Sequence, residues 1–145
     1  RGDMSFTFSQ GQRLPLSQFT SAKKIMFTAE LSLQGELDIS LFGLDESKQL
    51  ADDRYFIFYN QPNSPEQSMQ MQPNQTSFLV DLDLVPLHVH RLLLCATTES
   101  TPFRQLSLGT VVIQAEYSEV LRYEFTGREF ENECAVMLLL PVSQV

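Results

Sequence analysis

The sequence predicts an all-β fold, a sandwich or a barrel, with at most one or two short helical turns. About eight to nine short segments of strand-forming residues recur along the chain, at the regular spacing that sandwiches and barrels show. No segment has the helical apolar period over the length that a core helix needs. The 145 residues suffice for one domain with its own core, and no repeat or linker divides them.

The central stretch, residues 37–65, predicts two strands at 37–44 and 55–60 that are joined by an acidic connection. Bulky apolar residues fill both segments, carboxylates lie at their ends, and a turn rich in asparagine and proline closes the stretch. No nucleophile is grouped with a base there. The chemistry that remains is that of oxygen ligands at strand ends, which suit a hard cation such as calcium.

The segments before this stretch predict strands at the margin and in the middle of a sheet. Residues 5–8 and 13–19 predict a hairpin of edge strands, because Pro15 cannot donate to a β-ladder. Residues 24–33 alternate between apolar and polar side chains, which predicts a half-buried strand. Gln34 and Gly35 then predict a tight turn.

The segments after it are mostly strands as well. Residues 66–76 predict a loop, or a weak strand broken at Pro73, and residues 85–90 predict a single helical turn. The remaining predicted strands are 78–83, 91–97, 108–117, 121–125 and 134–140.

Alternation along these strands also predicts the core. Its expected members are Ile25, Phe27, Leu31, Phe56, Phe58, Val80, Leu92, Leu94, Val111, Ile113, Val136 and Leu138, with the inward face of segment 55–60 left open.

Charge and cysteine usage narrow the class of protein. A net charge of −8 and a pI near 4.6 argue against a nucleic-acid partner, because phosphate binding needs clustered Lys and Arg. Cys95 and Cys134 each lie in an apolar run, which favours two reduced core thiols in a cytoplasmic protein; a disulfide between them stays open. The longest apolar run, residues 135–142, is too short to predict a membrane span.

Residues 4–145 are interpreted as the single domain, beginning at Met4. Arg1, Gly2 and Asp3 match the integrin-binding tripeptide. Because no secretory signal opens the chain, we interpret them as a cloning remnant.

Four groups of residues carry a resemblance to a known family. They are 36–42, 53–62, 81–86 followed by 90–94, and 121–125 followed by 133–137. In this order they resemble the TerD-type domain of bacterial tellurite-resistance and general-stress proteins, from about residue 8 to residue 137. The block Phe58-Tyr59-Asn60 is the most specific, and its continuation through Gln61 and Pro62 is closer to the TerA-like branch than to TerD itself.

The resemblance narrows the fold to a two-sheet antiparallel β-sandwich. It also implies that the chain has no known enzymatic activity, and that better-studied members bind calcium through acidic loops at one end. This chain departs from that pattern. Where those members have an aspartate-rich segment, only Glu36 and Asp38 keep a carboxylate, and the second acidic loop, expected between Asn74 and Phe78, is missing. With Asn60 and Asn74, these residues would make a weak calcium site at best, because calcium takes six to eight oxygens. Glu36 and Asp38 could share a cation or lie on a solvated sheet edge, and we favour the solvated edge because the second acidic loop is missing.

No constellation for catalysis is visible, so we predict that the chain is not an enzyme. His88 and His90 lack a third metal ligand nearby, and no serine lies in a nucleophile-elbow context. Two classes stay open. One is a stress-response binding module with a degenerate calcium site, and the other is a structural or scaffold sandwich that acts through protein contacts without a metal.

The tail, residues 136–142, is apolar at both parities. One parity can face the core, so Met137 and Leu139 need a cover from within the fold, from a second copy or from a partner. We expect a homodimer or a heteromeric contact at this surface, with packing under the N-terminal hairpin as the alternative.

Overall fold

The computed structural model describes residues 6–8, 20–32, 37–98, 106, 108–126 and 134–142, with side chains at all of these except 6–8 and 134–139. Within them the strands are β1 (Phe6–Phe8), β2 (Lys24–Leu31), β3 (Leu37–Leu44), β4 (Phe56–Ile57), β5 (Met69–Met71), β6 (Ser77–Asp81), β7 (Arg91–Thr98), β8 (Gly109–Ala115), β9 (Ser118–Phe125) and β10 (Cys134–Pro141). A short 3₁₀ turn at Asp53–Tyr55 precedes β4.

These strands form two sheets. Sheet A has six strands in the order β1-β9-β8-β2-β6-β5, and sheet B has four in the order β10-β7-β3-β4. Neighbouring strands are antiparallel except β1 and β9, which are parallel. The predicted all-β, two-sheet architecture is therefore confirmed, with one parallel pair at the margin of sheet A.

The core lies between the sheets because each strand turns alternate side chains inward. In β2, Ile25, Phe27 and Ala29 are at most 2% exposed, whereas Glu30 is exposed. Burying a side chain as large as Phe27 stabilises the fold by about 1.5–3 kcal/mol. Of the predicted core residues, those found buried are Ile25, Phe27, Val80, Leu92, Leu94, Val111 and Ile113, and Leu31 is partly buried against them.

The segment 55–60 differs from the continuous strand that the sequence predicts. The 3₁₀ turn leads into β4, which has only two residues. The chain then reverses at 58–61, where Phe58 and Gln61 each donate the backbone N–H to the other's carbonyl oxygen, over 3.1 and 2.9 Å. The Gln61 side chain stabilises this arrangement, because its Nε2 donates to the carbonyls of Asp53 and Phe56.

Ile57, which is fully buried, is the inward residue of β4. Phe56 and Phe58 are on the opposite face of sheet B, so their prediction as core residues is wrong. The register gives the reason: Phe56 lies opposite Phe42, and Phe42 points outward because its neighbour Leu41 is in the core.

Three further segments can be compared with their predictions. β1 is an edge strand as expected, but its partner is β9; residues 13–19, the expected hairpin partner, lie outside the described residues. Residues 66–76 contain β5, so the weak-strand alternative holds there, and Pro73 lies in the turn to β6. Residues 85–90 form a non-helical turn in which the Val89 N–H donates to the Pro86 carbonyl.

β10 forms the edge of sheet B opposite to β4 and pairs with β7 along its length. Its register shifts between Val136 and Leu138, which indicates a β-bulge at Met137. Leu140 is buried in the core. The side chains of Val136, Met137, Leu138 and Leu139 lie outside the described residues, so the core and tail predictions for them are not tested.

No helix within the described residues has the length and apolar character that crossing a membrane requires.

Candidate functional site

The predicted calcium ligands that the structure describes lie at one end of the sandwich, where β2 ends and β3 begins. Asp38 is the second residue of β3 and is exposed. Asn60 follows β4, which runs antiparallel to β3 and so returns towards the start of that strand. Asn74 lies in the turn before β6, which runs antiparallel to β2 and begins near its end. Glu36 lies outside the described residues.

The described donors at this end do not match a calcium site. Both hydrogen-bonding atoms of the Asn74 amide are engaged in its own turn: Oδ1 accepts from the N–H groups of Thr76 and Ser77 over 3.0 Å, and Nδ2 donates to the Ser77 hydroxyl. Asp38 and Asn60 alone fall well short of six to eight oxygens. In the part of the chain that the structure describes, no three His, Cys, Asp or Glu residues group as metal ligands.

The acidic connection before β4 uses its carboxylates to hold turns. Asp45 Oδ1 accepts from the backbone N–H groups of Ser47 and Gln49 over 2.8 and 3.0 Å. Asp52 accepts from the backbone and the guanidinium of Arg54, with an ion pair of 2.8 Å. The hydrogen bonds from Arg54 lower the pKa of Asp52 to about 2. These carboxylates stabilise the connection and are not grouped around a common point.

A further carboxylate, Glu66, forms the most connected polar cluster of the described residues. Its Oε2 accepts from the hydroxyls of Ser64 and Ser68, each over 2.7 Å, and its Oε1 accepts a short hydrogen bond from the Tyr55 hydroxyl. Ser64 and Ser68 are 2% and 0% exposed. Ser64 Oγ also accepts from the Met69 N–H, so the cluster ties the loop before β5 to the end of the 3₁₀ turn.

The cluster shifts the pKa values of both ionisable members. Burial opposes ionisation of Glu66, but the hydrogen bonds from Tyr55, Ser68 and Ser64 outweigh it and hold the pKa below the ordinary value. Burial, followed by the hydrogen bond to Glu66, raises the pKa of Tyr55 to about 12. Glu66 is therefore a carboxylate and Tyr55 a neutral phenol across the physiological range.

Sequence reasoning missed this cluster. The available signal was the spacing Ser64-x-Glu66-x-Ser68 in a segment with turn-forming residues, because serine hydroxyls bond readily to groups a few residues away in a turn. In the structure this segment is a turn, closed by the Gln67 N–H donating to the Ser64 carbonyl. The third donor, Tyr55, comes from outside that segment and gave no signal.

An aromatic groove of about 200 Å³ lies on the outer face of sheet B. Its walls include Phe42, Phe56 and Phe58, whose rings stack in a row at centroid distances of 4.6 and 4.4 Å. The Tyr59 ring makes a T-shaped contact with the Phe58 ring, with an angle of 81° between the ring planes. Tyr59 is 54% exposed. The other lining residues are Asp38, Ile39, Ser40, Cys95 and Thr97.

Register places the polar members of this groove in two adjacent rows. Ser40 pairs with Cys95, and both are largely buried, while Asp38 pairs with Thr97 at the open end. Among the described residues that line the groove, Asp38 alone is charged. None of the described residues forms an ion pair with its carboxylate.

Comparison with known proteins places this architecture in a family. The model of the TerD domain matches residues 4–139. The chain belongs to the TerD domain family. The resemblance identified from the sequence blocks is thereby confirmed, and Asp38, Asn60, Asn74 and the aromatic groove all lie within the matched range.

Solved structures show the same fold. A homologue of the telluride resistance protein TerD from Streptomyces coelicolor superposes with a TM-score of 0.56 at 14% identity, covering 82% of this chain and 80% of its own. A protein described as being of unknown function gives a TM-score of 0.56 at 10% identity, covering 81% of this chain and 79% of its own. A search of curated proteins gave no significant match.

Proposed function

We propose that this TerD-domain chain is a non-enzymatic binding module of a bacterial stress response, which works in the cytoplasm by contacting other proteins. The observation that carries the proposal is the contrast between carboxylates that accept hydrogen bonds within the fold and the carboxylate that lines an exposed groove. Glu66, Asp45 and Asp52 are engaged in turns, while an aromatic surface with a carboxylate at its end lies open to solvent.

The described polar cluster supports a role without catalysis. A serine nucleophile needs a base and must reach its substrate. Ser64 and Ser68 contact the Glu66 carboxylate, but they are almost completely buried and donate to a carboxylate whose lowered pKa makes it a weak base. The net charge of −8 further favours a protein partner over a nucleic acid.

For calcium we propose a degenerate site at the β2–β3 end, with Glu36, Asp38, Asn60 and Asn74 as its remnants. We expect affinity weaker than the sensor range of roughly micromolar, because the described donors are few and the Asn74 amide is already engaged. Isothermal titration calorimetry of the wild type measures this. Asp38→Asn should weaken the remaining affinity, and Asp83→Asn, at an exposed carboxylate near the opposite end of β6, is the matched control.

The alternative is a scaffold sandwich that acts through protein contacts without any metal. The same titration separates the two. Weak binding that depends on Asp38 supports the module with a degenerate site, and no binding at millimolar calcium supports the scaffold. Tight stoichiometric binding would contradict the weak-site prediction.

A further inference from the structure

The aromatic groove combines two features that recognise one kind of ligand. Its walls include the stacked rings of Phe42, Phe56 and Phe58, in which Phe56 is covered on both faces, and the ring of Tyr59, which is 54% exposed. The face of an exposed aromatic ring attracts cations through its quadrupole. Its charged lining residue is the exposed Asp38. A carboxylate beside an aromatic ring favours an organic cation, because the carboxylate accepts charge-assisted hydrogen bonds from the cation and the ring attracts it through its quadrupole.

The size of the groove limits that cation to a small group. Sites for drug-sized molecules and cofactors are usually about 300–1,000 Å³, and this groove has about 200 Å³. A side-chain head group fits this space. An exposed ring and a carboxylate in one groove favour the planar guanidinium of arginine over the compact ammonium of lysine, since a guanidinium stacks on an aromatic face and pairs with a carboxylate through two N–H groups.

The charge of the whole chain indicates where such a group would come from. A net charge of −8 attracts basic protein segments and speeds their association. We propose that the aromatic groove of sheet B binds the guanidinium group of an arginine in a basic segment of a partner protein. This inference rests on the proposed role in protein binding and gives that role a surface and a partner chemistry.

The test uses the full chain in EDTA, so that calcium does not compete for Asp38. The probe is a capped peptide of glycine and arginine, and its control replaces arginine by citrulline, which keeps the shape and removes the charge. NMR of the phenylalanine and tyrosine rings follows the titration. We expect saturable shifts of the groove rings with the arginine peptide and none with the citrulline peptide.

Two variants assign the binding to the groove. Asp38→Asn should weaken binding of the arginine peptide at least about fivefold, and Tyr59→Leu, which keeps an apolar side chain without the ring, about threefold to tenfold. Asp83→Asn and Tyr117→Leu remove an exposed carboxylate and an exposed ring elsewhere and should leave the affinity unchanged. Thermal unfolding checks that all four variants are folded.

Each contrary result overturns the inference. An equal loss of affinity for the arginine peptide in Asp38→Asn and Asp83→Asn would show that the peptide is attracted by net charge alone. Equal affinity for the citrulline peptide would show that the groove binds through apolar contacts alone. Unshifted groove rings would show that the groove takes no cation. The binding-module proposal would survive any of these, because the calcium titration tests it separately.

Discussion

At the scale of single residues, the donors around a carboxylate decide its role. Asp45 and Asp52 accept from their own turns, and Glu66 accepts from three hydroxyls. Asp38 has no such donors among the described residues and is exposed. Of these four acidic residues, three thus hold the fold and one lines the groove.

Removal of the Tyr55 hydroxyl should destabilise the protein. Tyr55→Phe removes the hydrogen bond that the Tyr55 hydroxyl donates to the Glu66 carboxylate, and hydrogen bonds to charged groups contribute about 1.5–3 kcal/mol to stability. Urea unfolding at neutral pH measures the loss in the free energy of unfolding. Tyr117→Phe is the control, because Tyr117 is fully exposed and should change stability by less than about 0.5 kcal/mol.

The raised pKa of Tyr55 also predicts an alkaline dependence. Its contribution to stability should be complete below the ordinary pKa of 10.0 and be lost as the pH rises towards the folded value of about 12. Tyr55→Phe should lack this loss. If the wild type and the variant lose stability in parallel above pH 10, Tyr55 is not the titrating group.

Glu66 predicts the opposite dependence at acid pH. Its pKa in the folded state lies below the ordinary value of 4.5, so its stabilisation is complete above that pH and is lost as the pH falls through the folded pKa. The stability difference between the wild type and Glu66→Gln should therefore shrink below pH 4.5. Glu116→Gln, at an exposed turn position, is the control and should show no such trend. A difference that stays constant down to pH 3 would contradict the assignment.

At the scale of elements, close packing between neighbouring strands fixes residues that alternation does not explain. Gly109 begins β8 opposite Phe125 of β9, and the Phe125 ring lies over the glycine. A Cβ at position 109 would be within 3.0 Å of three carbons of that ring. The Phe125 ring is buried, with 3% of the residue exposed, and a side chain at position 109 would displace it.

Gly109→Ala should therefore destabilise the protein by about 1–3 kcal/mol through overpacking. A double-mutant cycle with Phe125→Leu tests the cause. In the Phe125→Leu background the alanine should cost clearly less, because the ring that it would strike is gone. Additive effects would mean that the cost of alanine has a source other than the Phe125 ring.

At the scale of the whole molecule, the two margins of sheet B differ. The β4 margin has two residues, and the Gln61 side chain donates to the carbonyl of one of them, Phe56, so little of this edge is left to pair with another strand. The β10 margin is eight residues long, and the described residues place no strand beside it. An assembly contact through β10 is the more favourable of the two.

Sedimentation tests this contact with Met137→Glu combined with Leu139→Glu. We expect the wild type to self-associate and the double variant to be monomeric, because two new carboxylates oppose burial in an interface. Leu87→Glu with Tyr117→Glu adds the same charge at two highly exposed positions and should leave association unchanged. If wild type and double variant are both monomeric and equally stable, Met137 and Leu139 are in no contact.

The sequence by itself determined the all-β class and, through the family blocks, the two-sheet sandwich, because strand period and family blocks are local properties of the chain. The alternation in 24–33 and the apolar segment 37–44 predicted strands whose bounds are close to those of β2 (Lys24–Leu31) and β3 (Leu37–Leu44). The same blocks placed the chain in the TerD domain family. The comparison with the calcium-binding pattern of the family also selected Asp38, Asn60 and Asn74, which the fold brings to one end of the sandwich.

Tertiary structure alone decided which face of β4 is buried, which donors the Glu66 carboxylate accepts from outside its own segment, and which residues line the groove. Period two leaves both faces of Phe56-Ile57-Phe58 open, and pairing of Phe56 with Phe42 resolves the choice. The Tyr55–Glu66 hydrogen bond and the groove between Asp38 and Phe58 join residues distant in sequence. Such contacts depend on how the strands β3, β4 and β7 lie beside one another, which no local pattern encodes.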